Sequence, residues 1–187
     1  MTDRPTRVRI VGAGRAGRSF AVALGDAGWQ VDLVHHDHPD PGTGAARLRG
    51  AWFGIAGHPW MQSVVDVLGG TSVTVEDQDR VVYHATAVVA SNHLVALMGQ
   101  VERLAASVGV PLDAFVALAR GSLANVAATD PATALTGPVA RGDWVTVQRH
   151  LDALDPAERE AYRVLAEQAA RLAGRRPPWD RVNGVEP

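Results

Sequence analysis

Apolar residues follow two different patterns, and the change from one to the other divides the chain. Up to about residue 77, short runs rich in β-branched residues stand between glycine-rich turns and helical runs, which is typical of strands linked by helices. From residue 78 onward, apolar residues recur at helical spacing. The patterns predict an α/β domain over residues 1–77, an all-α domain over 78–174 and a tail over 175–187.

The first strand-like run, residues 7–11, leads into the glycine turn G-A-G-R-A-G and then into a helical run over 18–27. A second strand-like run follows at 29–34, which completes a β-α-β unit. In dinucleotide-binding proteins the first glycine permits the tight turn, the second admits the pyrophosphate, and the third lets the helix pack on the strand. The alternative is that the glycines serve packing alone. The predicted cofactor-binding residues of this turn are Gly12, Gly14, Arg15, Ala16 and Gly17.

The end of the second strand is where a dinucleotide-binding protein contacts the ribose. An acidic residue there favours NAD and a nearby arginine favours NADP, but this chain has His35 and His36. We predict that both histidines contact the cofactor, and the choice between NADP and NAD stays open. His38 and Asp37 extend the cluster toward a possible metal site. Because adjacent residues on a strand point to opposite faces, we predict no metal site.

The nucleotide-binding half is shorter than a complete doubly wound domain. A breaker-rich segment at 39–44 follows the second strand, and only one further β-α-β unit precedes the helical half. Its strands are predicted at 51–56 and 71–75, with a helix over 59–68. A complete domain has two βαβαβ halves, so the central part is missing and a shortened, Rossmann-like parallel sheet is predicted. The strands would form one four-stranded sheet, or a partner chain would complete the sheet.

Composition narrows the chemistry further. The 187 residues include neither cysteine nor lysine, and all 18 basic residues are arginine. Thiolate chemistry, disulfides, cysteine-bound metals and lysine catalysis are therefore excluded. A net charge of −2 provides no basic field for nucleic acid. The polar amino terminus does not resemble an export signal, and we expect a cytoplasmic protein without nucleic-acid partners.

The longest apolar stretch, residues 81–101, lies in a helix predicted over 79–108. Its polar residues would be costly in a bilayer, so we predict a buried core helix and no membrane partner. At helical spacing His84, Ser91 and Asn92 share one face of this helix. Buried polar groups need hydrogen-bond partners. These three side chains would bond to one another, to a neighbouring helix or to a ligand.

The rest of the helical half contains a tightly specified loop. A helix predicted over 111–127 carries Asn125, and the loop at 134–143 contains glycines, a proline, Arg141 and Asp143. Asp143 is the predicted N-cap of the next helix, over 144–154. Arg141 would bind a carboxylate or phosphate, or pair with a nearby aspartate. His150 follows on the same helix face as Asp143.

Two segments of the helical half resemble those of a known family in order and spacing. They are Tyr83-His84-Ala85 followed by Ser91-Asn92-His93-Leu94-Val95, and Leu135-Thr136-Gly137-Pro138-Val139-Ala140-Arg141-Gly142-Asp143 followed by His150-Leu151. The family comprises bacterial oxidoreductase-like proteins of unknown function. They combine a Rossmann-like N-terminal domain with a helical domain similar to the C-terminal domain of 6-phosphogluconate dehydrogenase. The resemblance covers residues 7–36 and about 47–172.

The resemblance implies an NADP- or NAD-linked oxidoreductase that acts on a small molecule in a cleft between its domains, and a homodimer formed by the helical domain. His84 is the candidate acid/base, because imidazole exchanges protons near neutral pH, and Ser91 and Asn92 would orient the substrate. The predicted substrate-binding residues are Asn125, Arg141 and Asp143. Two alternatives stay open: an inactive relative that acts as a nucleotide-binding or dimeric interaction module, and a structural role.

Overall fold

The computed structural model describes residues 7–11, 15–34, 42–57 and 59–179. The chain forms two compact units, Met1–Val88 and Val89–Pro187. The strands among the described residues all lie in the first unit, and the second unit is helical throughout its described elements. The predicted fold class, a short parallel α/β part followed by an all-α part, is confirmed.

The first unit opens with the predicted β-α-β arrangement. Strand β1 (Arg7–Val11) leads to helix α1 (Arg15–Asp26) and strand β2 (Gln30–Val34). The two strands are parallel, with Arg7 opposite Gln30 and Val11 opposite Val34. Gly28 adopts a φ of 87° after α1, a left-handed conformation that ends the helix and suits glycine. Trp29 is buried directly before β2.

A second parallel pair follows helix α2 (Gly42–Leu48). Strand β3 (Trp52–Ile55), helix α3 (Met61–Val67) and strand β4 (Thr71–Thr74) form it. The expectation of one four-stranded sheet is wrong for the described strands, which form two separate two-stranded sheets. Both pairs instead direct apolar side chains into a shared core, where the rings of Phe20 and Phe53 lie 6.1 Å apart. Its buried members are Ala23, Leu24, Trp29, Ala45, Val64 and Leu68.

The start of the first long helix is bonded to strand β3. After a 3-10 turn (Asp77–Asp79), helix α4 (Arg80–Val88) places the hydroxyl of Tyr83 3.1 Å from the backbone N–H of Gly54, which donates to it. The sequence pattern put the domain boundary at residue 77. In the structure, the contact between α4 and β3 keeps α4 in the first unit, which ends at Val88.

The second unit continues the helix and adds five more. A π turn (Val89–His93) leads into α5 (Leu94–Ser107), and the remaining helices are α6 (Leu112–Ala128), α7 (Pro131–Ala134), α8 (Pro138–Arg141), α9 (Trp144–Ala153) and α10 (Pro156–Leu172). Val139, Val147, Ala166 and Ala170 form its buried core. On α5 and α10, Arg103 and Glu158 form an ion pair with an N–O distance of 2.5 Å.

The apolar stretch of the first long helix is not a buried core helix, contrary to the sequence prediction. Residues Asp77–Ser107 form a helix that is long enough to cross a membrane and contains a sufficiently apolar stretch, by length and composition only. None of its most apolar window is buried within the chain. Composition indicated apolar surroundings for these residues, but the described part of this one chain does not supply enough neighbouring surface to cover them.

Candidate functional site

The carboxyl ends of β1 and β2 lie side by side, because Val11 is opposite Val34 in the parallel ladder. In parallel α/β folds, ligands bind at this end of the strands, next to the amino terminus of the crossover helix. That helix begins at Arg15, with Ala16 exposed and Gly17 half-buried in its first turn. The other predicted cofactor residues lie outside the described residues: Gly12, Gly14, His35 and His36.

Helix α4 carries the predicted acid/base. His84 is exposed and directly follows Tyr83, which contacts β3. Near this contact is a groove of about 330 Å³ at the carboxyl end of β4. It is lined by Thr74, Val75, Glu76, Asp79, Val82, Tyr83 and Thr86. Neighbours of His84 therefore line this groove, whereas His84 itself is on the exposed surface of α4.

The two other predicted catalytic residues occupy the π turn. The Ser91 hydroxyl donates to the Asn92 side-chain oxygen over 2.9 Å. A π turn inserts a residue into the α-helical repeat, and such insertions are frequent at functional sites. The prediction that Ser91 and Asn92 share the face of His84 assumed uninterrupted α-helical spacing, which the π turn changes. The structure thus brings Ser91 and Asn92 together in the second unit, whereas His84 belongs to the first.

The predicted substrate loop is built around two glycines in left-handed conformation, Gly137 with a φ of 94° and Gly142 with a φ of 74°. The Asp143 carboxylate accepts bonds from the Thr146 N–H (3.1 Å) and the Thr146 hydroxyl (2.7 Å), and so caps α9 as predicted. These hydrogen bonds, with a smaller contribution from Arg141, hold the pKa of Asp143 below its ordinary value.

Arg141 and Asn125 are placed differently from Asp143. Arg141 is the last residue of α8 and is exposed two positions before Asp143, so its guanidinium is accessible to an anion. Asn125 is exposed on α6, where its backbone carbonyl accepts bonds from the N–H and the hydroxyl of Thr129. The loop therefore brings Arg141 and Asp143 together, while Asn125 lies on a separate helix.

A further polar pair in the helical unit was not predicted from the sequence. His150 Nδ1 lies 2.7 Å from the Tyr162 hydroxyl, and the two rings meet edge to face. Burial raises the pKa of Tyr162, so its hydroxyl stays protonated at neutral pH. The helix pattern had placed His150 on the face of Asp143. It could not identify a partner on α10, because that pairing depends on how two helices pack.

No group of three or more histidine or acidic side chains lies together as metal ligands in the part of the chain that the structure describes. The histidine-rich segment at 35–38 is outside that part.

Comparisons with known proteins agree with this architecture. The model of a domain of unknown function, DUF2520, matches residues 54–169, which is more than half of the chain. The chain therefore belongs to the DUF2520 family, whose matched region includes the Tyr83 segment, the π turn and the loop of Arg141. No curated protein matches the chain significantly.

Two crystal structures are similar in fold. One is of a protein from Bacteroides fragilis described as a proposed NADP oxidoreductase, with a TM-score of 0.66, 15% identity, and coverage of 90% of this chain and 99% of that one. The other is of a Thermotoga maritima protein, with a TM-score of 0.63, 21% identity, and coverage of 89% of this chain and 78% of that one. At these identities the similarity establishes a shared fold and nothing about activity.

Proposed function

We propose that this chain is an oxidoreductase that transfers a hydride between NADP(H) or NAD(H) and a small molecule. The observation that carries the proposal is the parallel β1-α1-β2 unit, in which the sequence G-A-G stands between the first strand and a helix that begins at Arg15. The fold shared with a proposed NADP oxidoreductase supports the same conclusion. The cofactor would meet the glycine turn and, at the end of β2, His35 and His36.

In this proposal His84 supplies acid/base chemistry, because it is the exposed imidazole of Tyr83-His84-Ala85, one of the segments that carry the family resemblance. Ser91 and Asn92 orient the substrate, and the π turn that holds them supports this role. The exposed guanidinium of Arg141 binds an anionic group, beside the rigid cap formed by Asp143. Asn125 is the remaining proposed substrate contact.

We also propose that the active protein is a soluble, cytoplasmic homodimer. The long apolar helix and α6 both leave large side chains exposed, among them Val95 on α5 and Leu118 on α6. An accumulation of exposed large apolar side chains favours an interaction site. A membrane is a poorer partner for this helix, because Ser91, Asn92 and Gln100 interrupt its apolar sequence.

A second candidate function is a nucleotide-binding or dimeric interaction module without turnover. It is favoured by the Asp143 carboxylate, both of whose oxygens are engaged by Thr146 rather than presented to a ligand. The absence of lysine from the chain also removes a residue type that serves as a catalytic acid in many enzymes. In its nucleotide-binding form this candidate differs from the oxidoreductase only in lacking hydride transfer, and in its dimeric form it needs no cofactor.

The first experiment is a titration of the purified protein with NADPH and, in parallel, NADH. Tryptophan fluorescence reports binding, since Trp29 is buried directly before β2. Calorimetry measures the same binding independently. We expect saturation at micromolar cofactor and loss of binding in Gly14→Val, whose side chain would block the approach of the pyrophosphate. Gly121→Ala, at an open position on α6, is the matched control and should bind normally.

Oxidation of NADPH with imines, 2-oxo acids and other small carbonyl compounds then separates the two candidates. Turnover that is lost in His84→Ala supports the enzyme, and binding without turnover supports the module. Failure to bind either nucleotide at millimolar concentration would refute the oxidoreductase and the nucleotide-binding module, leave the glycines with a packing role and favour a dimeric interaction module.

A further inference from the structure

The helical unit contains a cavity that the proposed oxidoreductase chemistry does not use. It has a volume of about 630 Å³, within the usual range of small-molecule sites, roughly 300–1,000 Å³. Apolar side chains from α5, α6 and α9 form most of its wall. These residues are Val101, Leu104, Ala105, Val108, Phe115, Ala153 and Leu154.

His150 and Tyr162 contribute the main polar atoms of this wall. The Tyr162 hydroxyl is held by His150 Nδ1 at 2.7 Å, which fixes the orientation of the imidazole. The second ring nitrogen, Nε2, and a further lone pair of the Tyr162 oxygen remain for hydrogen bonding. An apolar pocket with a few fixed polar groups is the usual composition of a site that binds and orients a small molecule.

A charged mouth adjoins the apolar cavity and shares Leu104, Ser107, Val108, Ala153 and Leu154 with it. Its ionic groups are engaged within the protein. Arg103 pairs with Glu158, the Arg159 guanidinium donates to the Leu154 carbonyl over 2.9 Å, and the two aspartates accept hydrogen bonds from Gln148 and from the N–H of Ala157. The aspartates are Asp152 and Asp155. Acidic groups outnumber basic ones, so the mouth disfavours an anion.

We infer that this cavity binds a neutral, largely apolar small molecule with one hydrogen-bonding group, such as a carbonyl, which bonds to the His150–Tyr162 pair. The apolar wall selects the body of the ligand, and the pair sets its orientation. The engaged, slightly acidic mouth selects against a carboxylate or phosphate. The site lies wholly in the helical unit and is independent of the proposed nucleotide binding.

The test uses Nile red, a neutral ring dye with one carbonyl, whose fluorescence rises in an apolar environment. We expect saturable binding of one dye per chain by the full-length protein. Ala153→Trp adds an indole to the cavity wall and should weaken binding by about tenfold or more, because it displaces the dye from apolar surface. Ala161→Trp adds the same indole at an exposed position of α10 that does not line the cavity, and should leave binding unchanged.

Tyr162→Phe keeps the cavity but removes the hydroxyl that orients His150. We expect it to weaken Nile red binding by roughly threefold to tenfold, the range for losing one hydrogen bond. Thermal melts of all variants verify folding, and NADPH titrations of the same variants should be unaffected. This readout keeps a failure of the cavity proposal distinct from a failure of nucleotide binding.

Three results would overturn the inference. Binding that survives Ala153→Trp would place the dye elsewhere, for example on the exposed apolar side of α5. Tighter binding of the anionic dye anilinonaphthalene sulfonate than of Nile red would refute the neutral ligand class. A change of sedimentation state in Ala153→Trp, without change in Ala161→Trp, would show that a second copy of the chain covers the cavity.

Discussion

At the scale of single residues, Asp143 ties the substrate loop to helix α9. Its carboxylate accepts two hydrogen bonds from Thr146, and these bonds lower its pKa from the ordinary value of 3.8. A group whose pKa is lower in the folded state stabilises that state above its unfolded pKa. The stabilisation is therefore complete near neutral pH and is lost as the pH falls through the folded value.

We predict that Asp143→Asn lowers the melting temperature by a few degrees at pH 7, because the amide caps α9 without the charge. The difference from the wild type should shrink as the pH falls below about 4. Thermal unfolding from pH 7 to pH 3 measures both effects. Asp113→Asn, an acid in the first turn of α6, is the control, and a difference that does not vary with pH would contradict the linkage.

The same residues show which contacts can be predicted from sequence. The cap at Asp143 was predicted and is present, because a cap involves only groups within three residues of it. The pairing of His150 with Tyr162 was not predicted, because it requires α9 and α10 to pack at a particular angle.

At the scale of elements, the contact between β3 and α4 determines where the first unit ends. Gly54 lies against the Tyr83 ring, and a Cβ at this position would collide with it. Gly54 also donates its N–H to the Tyr83 hydroxyl. The glycine permits this close approach of the Tyr83 ring, and the hydrogen bond gives a partner to a backbone group on β3.

We predict that Gly54→Ala destabilises the protein by roughly 1–3 kcal/mol, the range for overpacking a close contact. Adding Tyr83→Ala should recover part of this loss, because the ring that collides with the new Cβ is then gone. Urea unfolding of the single and double variants measures the coupling. Gly25→Ala, at an open helical position, should be neutral or slightly stabilising, and strict additivity of the two changes would show that the collision is not the cause.

The predicted strands and helices overlap those of the structure within a few residues. The short helices α2, α7 and α8 were not predicted, because they begin at glycine- and proline-containing segments that indicate loops. The π turn was not predictable, because the apolar spacing of residues 81–101 is compatible with a continuous α-helix. Sheet assembly was also not predictable. Periodicity identifies a strand but does not determine whether β2 and β3 pair, and in the structure they do not.

At the scale of the whole molecule, the exposed apolar surface of the helical unit is the main unexplained feature of the isolated chain. Composition predicted burial of the long helix, and burial requires partner surface that the described part of one chain lacks. Val95 is 72% exposed and Leu118 is 66% exposed. A homodimer that covers these side chains reconciles the apolar sequence with its exposure, since apolar area removed from water favours association.

The dimer can be tested by placing a charge on this surface. We expect the wild type to sediment as a dimer at micromolar concentration, and Val95→Arg and Leu118→Arg to shift the protein toward the monomer, because an unpaired charge in an apolar interface is costly. Val145→Arg is the matched control, since Val145 is also exposed but lies on α9. If all three variants remain dimeric, the interface lies elsewhere. A monomeric wild type would refute the homodimer and leave the apolar helix surface for a different partner.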